Sequence, residues 1–124
     1  MDWMEDIHTD LWAFPAGIKR VGSDDAHAAT WTSKYGSVIA NGYDIATTDG
    51  INSEGLNANL LYLSTTDYGA PQANRKNISI LKWAQYALDN YATVEEAVKD
   101  FGQDKFNMIA SALPNGANPT VHLS

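Results

Sequence analysis

The sequence contains no cysteine, so disulfides, zinc–thiolate sites and cysteine nucleophiles are excluded within its 124 residues. Arginine is also scarce. Only Arg20 and Arg75 are present, and the formal net charge is −7. Because nucleic-acid binding requires clustered Lys and Arg, we expect no nucleic-acid partner. The acidity of the chain mainly favours solubility.

Long hydrophobic runs are absent as well. No segment approaches the ~20 apolar residues that a membrane-spanning helix needs, so we expect no membrane segment. Residues 1–6 are acidic and precede no apolar stretch, which is unlike a signal peptide. The sequence does contain four tryptophans and six tyrosines, a content that fits a packed core or a pocket wall. The length corresponds to one domain or less, and we assign residues 1–124 to a single domain.

Residues 35–63 are the stretch around which the rest of the chain is organised. The β-like runs Ser37–Tyr43 and Leu56–Leu63 flank a polar connector. We predict bends at Asp49-Gly50 and Glu54-Gly55, since glycine reaches positive φ without a Cβ clash. The stretch therefore predicts an antiparallel sheet with a polar ribbon between two strands.

Further strands are predicted where β-branched and aromatic residues cluster. These segments are Ile7–Phe14, Ile18–Val21, Lys105–Ala112 and Thr120–Leu123. Between them, 22–30 and 64–77 are predicted as loops, and Pro114-Asn115-Gly116 as a turn.

Two consecutive helices are predicted in the second half of the chain. One apolar face recurs at helical spacing; its residues are Ile80, Leu81, Ala84, Ala87, Leu88 and Tyr91. Asn77 or Ser79 can cap this helix. A capping box formed by Thr93 and Glu96 then begins a second helix, which ends at Gly102. The apolar side of the second helix is predicted to be Val94, Ala97, Val98 and Phe101. Antiparallel strands with two consecutive helices predict an α+β fold.

The residues alone indicate no catalytic or metal site. Asp6, His8 and Asp10 would share one face of a strand, but calcium needs six or more converging oxygens, and we interpret them as a solvated face. The three histidines do not have zinc spacing, and no G-x-S-x-G motif occurs. We therefore expect no metal and no cofactor.

An ordered set of blocks resembles the choloylglycine hydrolase family of linear amide C–N hydrolases, which contains penicillin V acylases and bile salt hydrolases. The blocks are Met1–Trp3, Leu11–Gly17, Trp31–Ser37, Asp49–Leu56, Leu60–Leu63, Ile80–Tyr86, Asp89–Val94 and Thr120–Ser124. The block Asp-Gly-Ile-Asn-x-x-Gly-Leu is the most telling. The Leu11–Gly17 and Trp31–Ser37 blocks look more like the acylases of Gram-negative bacteria than like intestinal bile salt hydrolases.

The resemblance implies part of an N-terminal nucleophile (Ntn) hydrolase, an αββα sandwich in which an N-terminal cysteine attacks an amide carbonyl. Asp2 matches the family aspartate that hydrogen-bonds this cysteine. Tyr62 matches the Asn or Tyr at the oxyanion hole, whose donors stabilise charge in the transition state. Trp3 is positioned as a wall of the acyl pocket or, equally, as a core residue. The implied partner is a small-molecule amide, and the implied compartment is the periplasm.

The chain also departs from the family pattern. The nucleophilic cysteine and the arginine expected just before Met1 are missing, and the family's later asparagine and arginine would lie beyond Ser124. We interpret the chain as a portion of a longer amide hydrolase and expect it to be inactive in isolation. A non-catalytic binding or assembly module derived from the family remains the alternative. A missing first strand would leave an unpaired sheet edge, which predicts self-association into a homo-oligomer.

Overall fold

A computed structural model describes residues 5–124 and confirms the α+β class. The strands are β1 Asp10–Phe14, β2 Lys19–Val21, β3 Thr30–Thr32, β4 Ser37–Gly42, β5 Ala46–Asn52, β6 Asn57–Tyr62, β7 Lys76–Ser79, β8 Phe106–Ile109 and β9 Val121–Leu123. The helices are α1 Trp83–Asn90, preceded by a 3₁₀ turn at Ile80–Lys82, and α2 Val94–Phe101. No helix among residues 5–124 has the length and apolar character to cross a membrane.

The main sheet is antiparallel and has the strand order β1-β4-β5-β6-β9. A hairpin of β2 and β3 and a parallel pair of β7 and β8 lie beside it. Helix α1 packs mainly on β5 and β6. The largest fully buried apolar side chains belong to the core between this helix layer and the sheet; they are Ile39, Leu60, Ile78, Ile80, Leu88 and Val121.

The prediction of a bend at Asp49-Gly50 is wrong. Both residues lie inside β5, where Gly50 pairs with Ile39 on β4 and with Ala58 on β6. The chain turns earlier, where Tyr43 and Asp44 adopt φ of 54° and 60°. The second predicted turn is confirmed, since Gly55 has a φ of +88°. The predicted connector is therefore a central strand. Strands β4, β5 and β6 form a three-stranded meander instead of the single hairpin that was predicted.

Gly50 lacks a side chain for a reason other than backbone freedom. A Cβ built there would lie 2.6 Å from Leu88 Cδ1 and 2.9 Å from Ile39 Cγ2. Both distances are shorter than van der Waals contact, so any other residue at this position would require Leu88 or Ile39 to move. Glycine therefore permits the close packing of α1 on β5.

One predicted strand begins later than expected, and one strand was not predicted. The first begins at Asp10, because His8 adopts a φ of 51° and its N–H donates to Asp6 Oδ1 at 2.8 Å. Asp6, His8 and Asp10 therefore do not share a strand face as predicted. Residues 76–79 were predicted as loop and helix cap, but they form β7, which pairs in parallel with β8.

The predicted caps and the predicted apolar face of the first helix agree with the structure more closely than the face of the second helix does. Ser79 Oγ accepts a hydrogen bond from Leu81 N–H at 3.2 Å, and Thr93 Oγ1 accepts one from Glu96 N–H at 3.2 Å. The predicted apolar side of α2 is only partly correct. Ala97 and Phe101 pack against the core, whereas Val94 and Val98 are exposed.

The second face of the main sheet is not covered by any described residue of the helices. Leu11 on β1, Val38 on β4 and Ile51 on β5 fall on this face by strand alternation and register, and all three are exposed. We call this surface the open face. The described chain thus forms one helix layer and one sheet of the sandwich that the resemblance implies.

Asn52 fixes the end of β5 to the end of α1. Its Nδ2 donates to the backbone oxygens of Leu88 at 2.9 Å and Tyr91 at 2.7 Å. Its Oδ1 accepts from the N–H groups of Glu54 at 3.0 Å and Leu56 at 2.9 Å. One buried amide therefore satisfies four backbone groups that would otherwise be unpaired away from water.

We expect Asn52→Ala to lower the free energy of unfolding by about 3 kcal/mol, because it leaves several buried backbone groups without partners. Urea denaturation followed by far-ultraviolet circular dichroism measures the change. The matched control is Asn57→Ala, at an exposed position on β6. Similar losses for the two variants would contradict this role of Asn52.

Candidate functional site

Tyr62, the predicted oxyanion donor, is the last residue of β6 and pairs with Val121 on β9. Its side chain is 54% exposed, whereas Leu60, two residues earlier on the same strand face, is 2% exposed. On this face of the sheet, other residues cover Leu60 but leave more than half of the Tyr62 side chain exposed. Asp2 and Trp3, the other predicted site residues, lie outside the described residues.

The backbone around Tyr62 is held in place by a second tyrosine. Tyr68 donates its O–H to the backbone oxygen of Val121 at 3.0 Å and accepts from the Val121 N–H at 2.7 Å. Burial raises the pKa of Tyr68, and hydrogen bonding to the Val121 backbone lowers it by a smaller amount. The phenol thus stays protonated and ties the loop after β6 to the strand opposite Tyr62.

A buried carboxylate on α1 faces the β2–β3 hairpin. Asp89 on α1 is fully buried and accepts hydrogen bonds from Arg20 Nε at 2.7 Å and Trp31 Nε1 at 2.8 Å on one oxygen. Its other oxygen accepts from Gln85 Nε2 at 2.8 Å. Because every oxygen of this carboxylate is paired, we interpret the cluster as structural.

Sequence analysis did not single out Asp89, Arg20 or Trp31 as a group. Arg20 and Asp89 are 69 residues apart, and Trp31 and Asp89 are 58 apart. Neither spacing matches a motif. The usable signal was composition alone, since Arg20 is one of only two arginines in the chain.

A second polar cluster joins α2 to the end of α1. Tyr91 and Lys105 both donate to the carboxylate of Asp100. Burial, followed by the hydrogen bond to Asp100, raises the pKa of Tyr91. Burial opposes ionisation of Asp100, but the hydrogen bonds from Lys105 and Tyr91 outweigh it and hold the pKa of Asp100 below its usual value.

Comparison with known proteins shows which family the chain matches. The family model of linear amide C–N hydrolases, choloylglycine hydrolase family, matches residues 1–124. The chain is 45% identical over 132 residues to a penicillin V acylase from Pectobacterium atrosepticum, covering 100% of this chain and 35% of that protein.

Solved structures agree with this assignment. The penicillin V acylase of Agrobacterium tumefaciens matches with a TM-score of 0.87 at 46% identity, covering 99% of this chain and 36% of the other. A mutant of conjugated bile acid hydrolase from Clostridium perfringens matches with a TM-score of 0.73 at 20% identity, covering 99% and 38%. The latter similarity shows the fold alone. The chain spans little more than a third of the length of each protein.

The cluster of Tyr91 and Asp100 predicts how stability depends on pH. A tyrosine whose pKa is raised in the folded state keeps its proton there, while the unfolded chain loses it above about pH 10. The contribution of Tyr91 to the free energy of unfolding is therefore fully present below about pH 10 and is lost as the pH rises further. Asp100, with a lowered pKa, contributes stability that is lost as the pH falls below about 4.

We expect the free energy of unfolding to decline between about pH 10 and 12 and to be flat with respect to Tyr91 between about pH 6 and 9. Urea denaturation at each pH measures both ranges. Tyr91→Phe removes the ionisable group but keeps the ring, and should make the decline at high pH less steep. An unchanged slope in this variant would rule out the assignment to Tyr91.

Proposed function

The chain belongs to the choloylglycine hydrolase family of linear amide C–N hydrolases, and we propose that it is a portion of a hydrolase of the penicillin V acylase type. The substrate class is a linear amide with an apolar or aromatic acyl group. The identity of 45–46% to two penicillin V acylases, over essentially all of this chain, is the observation that carries the proposal.

The catalytic chemistry that we propose belongs to a longer protein. An N-terminal cysteine thiolate would attack the amide carbonyl. The C–N bond would then break, and the amine would leave with a proton from the α-ammonium group of the cysteine. Water would hydrolyse the resulting thioester, releasing the carboxylic acid and restoring the thiol. In this scheme Asp2 hydrogen-bonds the cysteine, and Trp3 forms part of the acyl pocket. Neither residue can replace the thiol, so the 124-residue chain by itself is proposed to be inactive.

Tyr62 is proposed to donate its O–H to the oxyanion of the tetrahedral intermediate. The exposed phenol at the end of β6, and the pairing of the Tyr62 backbone with Val121, whose backbone Tyr68 holds, support this role. A donor that is already fixed in place stabilises the oxyanion without reorganisation during the reaction. This is the physical advantage of anchoring Tyr62 on a paired strand end.

A chimera tests the proposal directly. Residues 1–124 of this chain would replace the corresponding segment of the Pectobacterium atrosepticum penicillin V acylase, and penicillin V hydrolysis would be measured. We expect the chimera to be active, because the replaced scaffold is 45% identical. Tyr62→Phe in the chimera should lower kcat about 100- to 1,000-fold, as loss of one oxyanion donor does in measured enzymes.

Two controls accompany the chimera. Tyr43→Phe removes a phenol on the turn between β4 and β5 and should leave kcat unchanged. The isolated 124-residue chain should hydrolyse no penicillin V. A folded but inactive chimera would refute the proposed hydrolase function. Equal losses of kcat for Tyr62→Phe and Tyr43→Phe would refute the oxyanion role of Tyr62. Hydrolysis by the isolated chain would refute its proposed inactivity.

A non-catalytic binding or assembly module derived from the family is the second candidate function. In this case the isolated chain would bind an acylated ligand without turnover. Titration calorimetry with a phenoxyacetylated amide distinguishes the candidates: saturable binding by the isolated chain together with an inactive chimera supports the module.

We further propose that the isolated chain self-associates. Strand β1 is an edge of the main sheet, and the open face carries exposed Leu11, Val38 and Ile51. Unpaired strand edges and contiguous apolar surface both favour association between copies. Light scattering after size exclusion should give a mass above the 13.5 kDa of one chain.

Ile51→Lys, on the open face, should shift this distribution towards the monomer. Val94→Lys, at an exposed valine on α2, is the matched control and should not. A monomeric wild-type chain would exclude self-association.

A further inference from the structure

A cleft of about 240 Å³ lies between β1 and β4 of the main sheet, the β2–β3 hairpin and the 3₁₀ turn before α1. Tyr62 is not among its lining residues. The cleft is smaller than the ~300–1,000 Å³ of sites for drug-sized ligands, so its occupant can contain one ring and a short chain.

The walls of the cleft are aromatic. Trp12 and Phe14 on β1 make an edge-on contact with ring centroids 5.9 Å apart, and Trp31 on β3 faces the same space. The guanidinium carbon of Arg20 lies 4.5 Å from the centre of the Phe14 ring, which fixes the orientation of both side chains. Rings arranged in this way provide apolar, edge-and-face contacts for another aromatic ring.

Two residues that line the cleft each carry a buried polar atom with no partner among residues 5–124. Asn41 is only 5% exposed, and its Oδ1 is buried without a hydrogen bond from the described chain. Arg20 uses Nε to bind Asp89, but its Nη2 is buried and accepted by no described group. Buried polar groups are nearly always hydrogen-bonded, so an unpaired acceptor and an unpaired donor in one cleft indicate a polar ligand.

The charged side chains that line the cleft determine which charge the ligand should carry. Lys19, Arg20 and Lys82 line the cleft, opposed by Asp44 within the lining and by Asp89 behind Arg20. The local balance is therefore positive by one charge in a chain whose net charge is −7. Such a local reversal of charge favours an anion, and a guanidinium N–H is suited to a carboxylate.

We propose that this cleft binds a small aromatic carboxylate that carries a hydroxyl or N–H donor. Its carboxylate accepts from Arg20 Nη2, its donor binds Asn41 Oδ1, and its ring packs against Trp12 and Phe14. The inference does not depend on the proposed amide hydrolysis, because it concerns different residues.

The ligand test compares four single-ring compounds by titration calorimetry with the wild-type chain. We expect saturable binding of 3- or 4-hydroxyphenylacetate. Phenylacetate lacks the donor and should bind about 5- to 10-fold more weakly than the better hydroxylated isomer. The neutral 4-hydroxyphenylacetamide should bind at least about 10-fold more weakly than 4-hydroxyphenylacetate. Absence of saturable binding, or equal affinity for charged and neutral compounds, would overturn the proposal.

Variants locate the binding to the cleft. Trp12→Ala, on an edge strand, should weaken binding about 5- to 10-fold. Its control is Leu11→Ala, on the same strand but on the open face, which should bind as the wild type does. Equal weakening by both variants would place the ligand elsewhere and overturn the proposal.

Asn41→Ala tests the hydrogen bond to the donor. In this variant the preference for the hydroxylated ligand over phenylacetate should disappear, while phenylacetate itself still binds. A retained preference would overturn the role of Asn41. If circular dichroism shows that Asn41→Ala is unfolded, the comparison of ligands on the wild-type chain decides the question.

Discussion

The buried carboxylate of Asp89 is the interaction on which the arrangement of the elements depends. An ionised group taken out of water is costly unless paired, and Asp89 is paired by Arg20 from β2, Trp31 from β3 and Gln85 from its own helix. Three elements must therefore meet at one point. Removing Arg20 would leave the buried carboxylate without an ion-pair partner, so the hairpin and α1 are held together more specifically than by apolar contact alone.

The same network extends into the main sheet. Gln85 Nε2 also contacts Ser37 Oγ on β4 at 3.3 Å, and its Oε1 accepts from Thr47 Oγ1 on β5 at 3.1 Å. The hairpin, helix and sheet are thus linked through two side chains of α1, one turn apart. The same linkage positions one wall of the aromatic cleft. Arg20 is held by Asp89 and by the Phe14 ring, and its Nη2 is left buried without a partner among the described residues.

Local patterns predicted most of the elements but not how they contact one another. The helical period of Ile80 to Tyr91 and the capping box at Thr93 were visible because they depend on neighbours in sequence. Gly50 was misinterpreted, since a sequence does not show whether glycine serves a turn or the close approach of a helix. The pairing of Arg20 with Asp89 could not be predicted, because it joins residues 69 apart without a motif. Of the predicted site, only Tyr62 lies among the described residues.

The block that most resembles the family is explained by packing rather than by chemistry. Gly50 admits Leu88 of α1 onto β5, and Asn52 ties the end of that strand to the carbonyls of Leu88 and Tyr91. Both residues thus specify the same helix-on-sheet contact. This chain keeps the block and matches the family model over residues 1–124. The resemblance in this block therefore reflects how the helix packs on the sheet.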